Sequence, residues 1–254
     1  YGNCESSFTG SGQTGCDILQ FGDLNGVVLF KKGYAKTIDT DSFDLSTFKE
    51  DVKGLKAFPY FGLEEFTQDT PENEIKTYST GKESVVRDGR PKFTLMYEKG
   101  ACNQKSLRNK KNGAWDVALV FDKGILMATN VNKTKLKAFG LGMFSVETMK
   151  FQQGSDLQTE TIKLQLEDSN EFNERFTFIP FVEVGDLREV GGVVETKITV
   201  DPIVAGGDIT FSVTSACNAD NSILDLESAN SFVLLGTQAS ATTLGVPTYN
   251  ASTN

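Results

Sequence analysis

Apolar and polar residues alternate most cleanly between Leu157 and Leu166, where Glu160, Ile162, Leu164 and Leu166 fall on one side of a β-strand and Thr159, Thr161, Lys163 and Gln165 on the other. Pro91–Glu98 repeats the pattern with Phe93, Leu95 and Tyr97, apart from Met96. Gly26–Phe30 is continuously apolar and predicts a buried strand. Trp115–Phe121 and Ile125–Thr129 flank Asp122-Lys123-Gly124, a hairpin turn signal. Arg175–Val184 predicts a long strand interrupted at Pro180. Helical spacing shows once clearly: Leu45, Phe48, Val52 and Leu55 share a face, Ser46 is the expected cap, and Gly54 the stop. The Phe58-Pro-Tyr-Phe-Gly62 segment blocks its continuation. A second, short basic helix is expected over Ala101–Lys111, ended by Asn112-Gly113.

These elements predict a mainly β chain with one or two helices. Residues 1–20, rich in Gly, Ser and Thr, read as a flexible N-terminal arm. Residues 21–184 carry the main β domain, and 185–192 (Gly-Asp-Leu-Arg-Glu-Val-Gly-Gly) read as a linker. Residues 193–254 turn to Ser, Thr, Ala and Val, with alternation at Ile198, Val200, Ile209, Phe211 and Val213. They predict a small immunoglobulin-like β module, slightly short for a complete one.

Composition narrows the chemistry. The 254 residues include no histidine, which removes the side chain that dominates acid–base catalysis near neutrality. Imidazole-activated serine or cysteine nucleophiles and His-containing zinc sites go with it. Lys and Arg total 25 against 34 Asp and Glu, a formal charge of −9. That balance argues against sequence-reading DNA binding and suits a surface past which DNA slides without sticking. No apolar run reaches the length of a membrane span. The Tyr1-Gly-Asn-Cys4 opening has neither a leader pattern nor a starting methionine, so a processed or trimmed start is expected. Cysteines at 4, 16, 102 and 217 form no metal-binding spacing and read as free thiols, with a Cys4–Cys16 loop as the oxidised alternative.

Motifs yield little catalytic promise. Gly10-Ser-Gly12-Gln-Thr-Gly15 matches a dinucleotide fingerprint in letters only, since no βαβ pattern surrounds it. Asp39, Asp41, Asp44 and Glu50 echo a calcium loop, but Phe43 stands at a ligand position and Asp44 where glycine should turn the chain. Helix capping is the simpler use for these acids. Carboxylate neighbours (Glu64-Glu65, Glu72/Glu74, Glu167-Asp168, Glu171/Glu174) read as solvated acids in an acidic chain, with no aromatic cluster to mark a sugar cleft. No catalytic residue, metal or cofactor is expected. Lys99, Lys105, Arg108, Lys110 and Lys111 form the one basic cluster, with no acid between Lys99 and Asp116. Lys105, Arg108, Lys110 and Lys111 are the candidate subunit-interface residues, facing an acidic neighbour or another copy of the chain; a solvated helix face is the bland alternative.

Residues 82–181 bring a family into view. Val86-Arg-Asp-Gly-Arg-Pro-Lys-Phe-Thr-Leu-Met-Tyr97 is followed by Cys102-Asn-Gln-Lys-Ser-Leu107 and Asp116-Val-Ala-Leu-Val-Phe-Asp122 with Gly124-Ile-Leu-Met127. Thr134-Lys-Leu-Lys-Ala-Phe-Gly140, Thr161-Ile-Lys-Leu-Gln-Leu-Glu167 and Phe178-Ile-Pro-Phe181 complete the series. In order and spacing this resembles virion proteins of tailed bacteriophages, in particular tail-tube-like and ring proteins of crAss-like phages infecting Bacteroidota. The resemblance implies a tail-tube-like β-sandwich or half-barrel protomer whose sheets join neighbours into a homo-oligomeric ring in the neck or tail. Portal, ring or tail proteins would be its partners, DNA would pass in the lumen, and no membrane would be involved. Assembly in the host cytoplasm follows from the same resemblance. Other readings of the sequence are a capsid decoration or head-fibre protein, a carbohydrate-binding or glycosidase domain of a receptor-binding protein, and an extracellular adhesin module.

Overall fold

A computed structural model describes residues 21–38, 41, 43–148, 150–151, 158–192, 196–200 and 211–215. The first stretch holds β1 (Leu24–Lys31), β2 (Ala35–Thr37), α1 (Leu45–Lys53), β3 (Ala57–Phe61) and β4 (Glu65–Asp69). Then come β5 (Glu74–Thr77), β6 (Glu83–Arg87), β7 (Lys92–Tyr97) and α2 (Ala101–Lys110). The middle carries β8 (Trp115–Phe121), β9 (Gly124–Thr129), β10 (Lys135–Lys137), β11 (Phe139–Val146) and β12 (Glu160–Leu166). Two short helices, α3 (Ser169–Asn173) and α4 (Phe181–Val184), bracket β13 (Phe176–Pro180). A 3-10 turn over Leu187–Glu189 precedes β14 (Thr196–Val200) and β15 (Phe211–Ser215). The fold is mainly β.

One large antiparallel sheet runs β2-β10-β9-β8-β11-β12-β7-β4, with β1 paired to both β8 and β3, and β13 added to β9. Strand β8 makes the fork. Its start pairs with β11 (Val117 with Phe139) and its end with β9 (Leu119 with Leu126), while β1 follows its other edge throughout.

Because neighbouring side chains on a strand point to opposite faces, the β1, β8 and β9 ribbon feeds two cores. Val27, Leu29, Val117 and Leu119 join Phe93, Leu95, Ile162 and Leu164 of β7 and β12 in one cluster. Val28, Phe30, Ala118 and Val120 join Phe48 and Val52 of α1, together with Ile179 and Leu187, in the other. Burial on both faces explains why Gly26–Phe30 reads as an unbroken apolar run, whereas β7 and β12 alternate.

Several expectations change at the ends of elements. Asp44, not Ser46, caps α1: its side chain accepts from the Thr47 N–H at 2.8 Å, and the Thr47 hydroxyl oxygen accepts from the Asp44 N–H at 3.0 Å. Residues 57–61 continue as strand β3, and Pro59 is tolerated because, among the described residues, β3 pairs on one side only, with β1. Past Pro180 the chain turns into α4 instead of extending the strand. The stretch 185–192 is packed: Leu187 and Val190 are buried in the second cluster. The boundary between the chain's two compact units falls after it, at Val193/Val194. Of the second unit, the antiparallel β14–β15 pair is described, with Ile198 opposite Val213. The remainder of the expected immunoglobulin-like module, residues 1–20 and the Gly10–Gly15 motif lie outside the described residues.

Candidate interaction surface

Two surface features stand apart from the cores. The first is an extended double hairpin. Strands β4 and β7 pair with Asp69 opposite Lys92, and farther out β5 pairs with β6, with Ile75 opposite Val85. Between them the two strands are pinched together. A Cβ on Gly89 would lie 1.7 Å from the Pro71 carbonyl oxygen, and the Gly89 N–H donates to Asn73 Oδ1 at 2.9 Å. Every side chain from Glu64 to Glu83 is exposed or nearly so, and no residue from 64 to 90 belongs to either core cluster. Phe66, Ile75, Tyr78, Val85 and Val86 nonetheless point apolar surface at solvent, with Val86 58% exposed. Scattered exposed apolar residues are ordinary; several gathered on one arm make it a candidate interaction surface. Strand β4 is also a sheet edge, paired among the described residues with β7 alone.

The second feature is α2, which carries the candidate interface residues. Lys105, Arg108 and Lys111 are exposed, and Arg108 donates to Thr148 Oγ1 at 3.2 Å. Lys110 is different. Its ammonium lies 4.4 Å from the Phe58 ring centre and donates to Ser106 Oγ at 3.2 Å, and burial lowers its pKa. The structure therefore leaves three of the four predicted cations exposed on or just after α2 and turns the fourth onto the aromatic residues of β3.

Beneath α2 lies a polar layer that the sequence did not announce. Gly100 stands at the helix N-cap without a side chain to cap it. Glu160 of β12, fully buried, lies beside the first turn: its Oε2 accepts from the Asn103 side-chain Nδ2 at 2.5 Å, while Oε1 has no hydrogen-bond partner. Burial raises the Glu160 pKa, offset in part by Asn103, the Gly100 backbone and Lys99. The layer continues through the Tyr97 hydroxyl, which donates to the Tyr60 carbonyl at 3.3 Å, and the Tyr60 hydroxyl, 3.2 Å from Ser106 Oγ. Burial raises both phenol pKa values. At the other end of α2, the Trp115 indole donates to the Lys110 carbonyl at 2.7 Å. There Lys111, Trp115, Leu141, Met143 and Phe144 line an open cleft of about 320 Å³.

Other candidates serve the fold. Glu167 pairs with Lys32 at 2.6 Å, and Asp168 both caps α3 and holds Arg175 at 2.7 Å. Glu171 is buried against Lys137 and accepts from the Gly140 N–H. Glu64, Glu65, Glu72 and Glu74 are exposed on the arm. Asp44 is committed to its cap, which lowers its pKa to about 2, chiefly through the Thr47 backbone N–H. Cys102 is disulfide-bonded, not a free thiol, and the other three cysteines lie outside the described residues. Among the described residues no group of His, Cys, Asp and Glu is placed to hold a metal ion, and no helix is long and apolar enough to cross a membrane.

No protein-family model matches the chain, and no curated protein is significantly similar to it.

Proposed function

We propose that this chain is a structural subunit of an oligomeric ring in the neck or tail of a tailed bacteriophage, forming or surrounding the DNA conduit through intersubunit β contacts. In this reading it is not an enzyme, and its tail-tube-like β-sandwich or half-barrel protomer meets portal, ring or tail proteins in the virion. The observation that carries the reading is the arm from Glu64 to Arg90. Apart from Phe66, whose ring stacks on Phe93 at 6.0 Å, it adds nothing to either core, and it holds exposed Ile75, Tyr78, Val85 and Val86 on a projecting hairpin. An element of that kind costs solubility in a monomer and repays it when a neighbour covers it. The formal charge of −9 supports a conduit role, because an acidic wall repels the phosphate backbone.

Negative-stain electron microscopy of the purified protein, with its solution mass, tests the proposal. Closed rings or short tubes of one symmetry are expected. A monodisperse monomer or trimer that never closes would overturn it and favour a decoration protein.

A further inference from the structure

We infer that the acidic base of the arm docks on the α2 face of a second copy of this chain, so that subunits join head to tail through two different surfaces. This rests on the self-assembly reading above and names the two faces that would meet. Glu64, Glu65, Asp69, Glu72 and Glu74 are exposed from just before β4 to the start of β5, and no lysine or arginine occurs between Lys56 and Lys76. The opposing face inverts the pattern. Lys105, Arg108 and Lys111 are exposed on and just after α2, and no acid occurs between Glu98 and Asp116.

Apolar surface matches as well. The arm offers Phe66, Ile75 and Val85, while the cleft at the end of α2 offers Trp115, Met143 and Phe144 with Lys111 on its rim. An apolar centre bordered by complementary charge is the usual anatomy of a specific interface. Each face is complementary to the other and not to itself. In the head-to-tail arrangement each copy leaves one arm and one receiving face for the next, and closure gives a ring; a reciprocal two-fold dimer, seen as a solution mass of two chains, would overturn it.

Charge exchange on the full chain tests the pairing. One variant carries Glu64→Lys, Glu65→Lys and Glu72→Lys; the other carries Lys105→Glu, Arg108→Glu and Lys111→Glu. Lys110 is left alone because it packs on Phe58 and its loss would disturb the fold. Sedimentation equilibrium should show each variant self-associating at least about tenfold more weakly than the parent. Mixed one to one, the basic arm of the first meets the acidic helix of the second, and the acidic arm of the second meets the basic helix of the first. Association should then return to within about threefold of the parent, given charge pairs of equal number. Rings that form undiminished in either variant, or a mixture that stays dissociated, would refute the pairing while leaving ring formation standing. A parent chain that is monomeric at every concentration would overturn both.

Discussion

At the scale of single residues, the buried carboxyl of Glu160 sits where two physical effects oppose each other. The N-terminus of α2 favours a negative charge there, yet burial with Oε1 unpartnered disfavours it, and burial dominates. The consequence for stability has a definite sign. Below the ordinary value of 4.5 the carboxyl is protonated in both states. As pH climbs past 4.5 the unfolded chain releases its proton first, so native stability falls until the folded carboxyl ionises in turn. Glu160→Gln should flatten that decline, measured as urea midpoints from pH 4 to pH 8; an unchanged slope would remove Glu160 as its source. Buried Asp116, also raised by burial but eased by the Gly33 N–H and Lys32, has the same sign and leaves a residual slope.

At the scale of elements, the arm is separable from what folds the chain. Asp69 and Lys92 are cross-strand partners, so replacing residues 70–91 by Asn-Gly would join β4 to β7 as an ordinary two-residue hairpin. The shortened protein should lose the hydrogen bond from the Leu166 N–H to the Pro91 carbonyl, about 1 kcal/mol, and the burial of the Pro91 ring, about 1–2 kcal/mol more. Its circular dichroism and thermal midpoint would check this, and a collapse of the fold would show the arm to be part of the core after all. How much of this was legible in the sequence follows from how each element is held. Strands buried on one face, β7 and β12, print their alternation directly: Phe93, Leu95 and Tyr97 are buried, as are Ile162, Leu164 and Leu166. The α1 cap was misplaced by two residues because Asp44 and Ser46 are both competent caps and backbone geometry chooses between them. The stretch 185–192 looked like a linker because only Leu187 and Val190 are apolar, yet both are buried. Of the proposed interface, the cations were readable as a cluster. The inward turn of Lys110 was not, since it depends on Phe58 and Tyr60, about fifty residues earlier in the chain. The arm gave no signal because a solvated hairpin has no buried face to set a period.

At the scale of the whole molecule, two electrostatic effects act on association at different ranges. Copies of formal charge −9 repel one another over the full screening length, while the arm and α2 would attract only in contact. At about 0.01 M salt the Debye length is about 30 Å and the repulsion reaches across the protomer; at about 1 M it is about 3 Å and the contact itself is screened. Self-association should therefore pass through a maximum near about 0.1 M salt, where the Debye length is about 10 Å. Light scattering across that range would show it, and a steady rise with salt would instead mark an interface that is apolar throughout. The independence of the arm from both cores has one more consequence. A copy that lacks residues 70–91 and carries Glu64→Lys and Glu65→Lys would fold, present its α2 face, accept one neighbour and offer no acidic face onward, so it would end a growing chain wherever it joined. Because closure needs every position filled by a complete copy, the yield of closed rings would fall as the complete fraction raised to the power of the ring's copy number. Doping with armless chains would thus count the subunits by dilution alone.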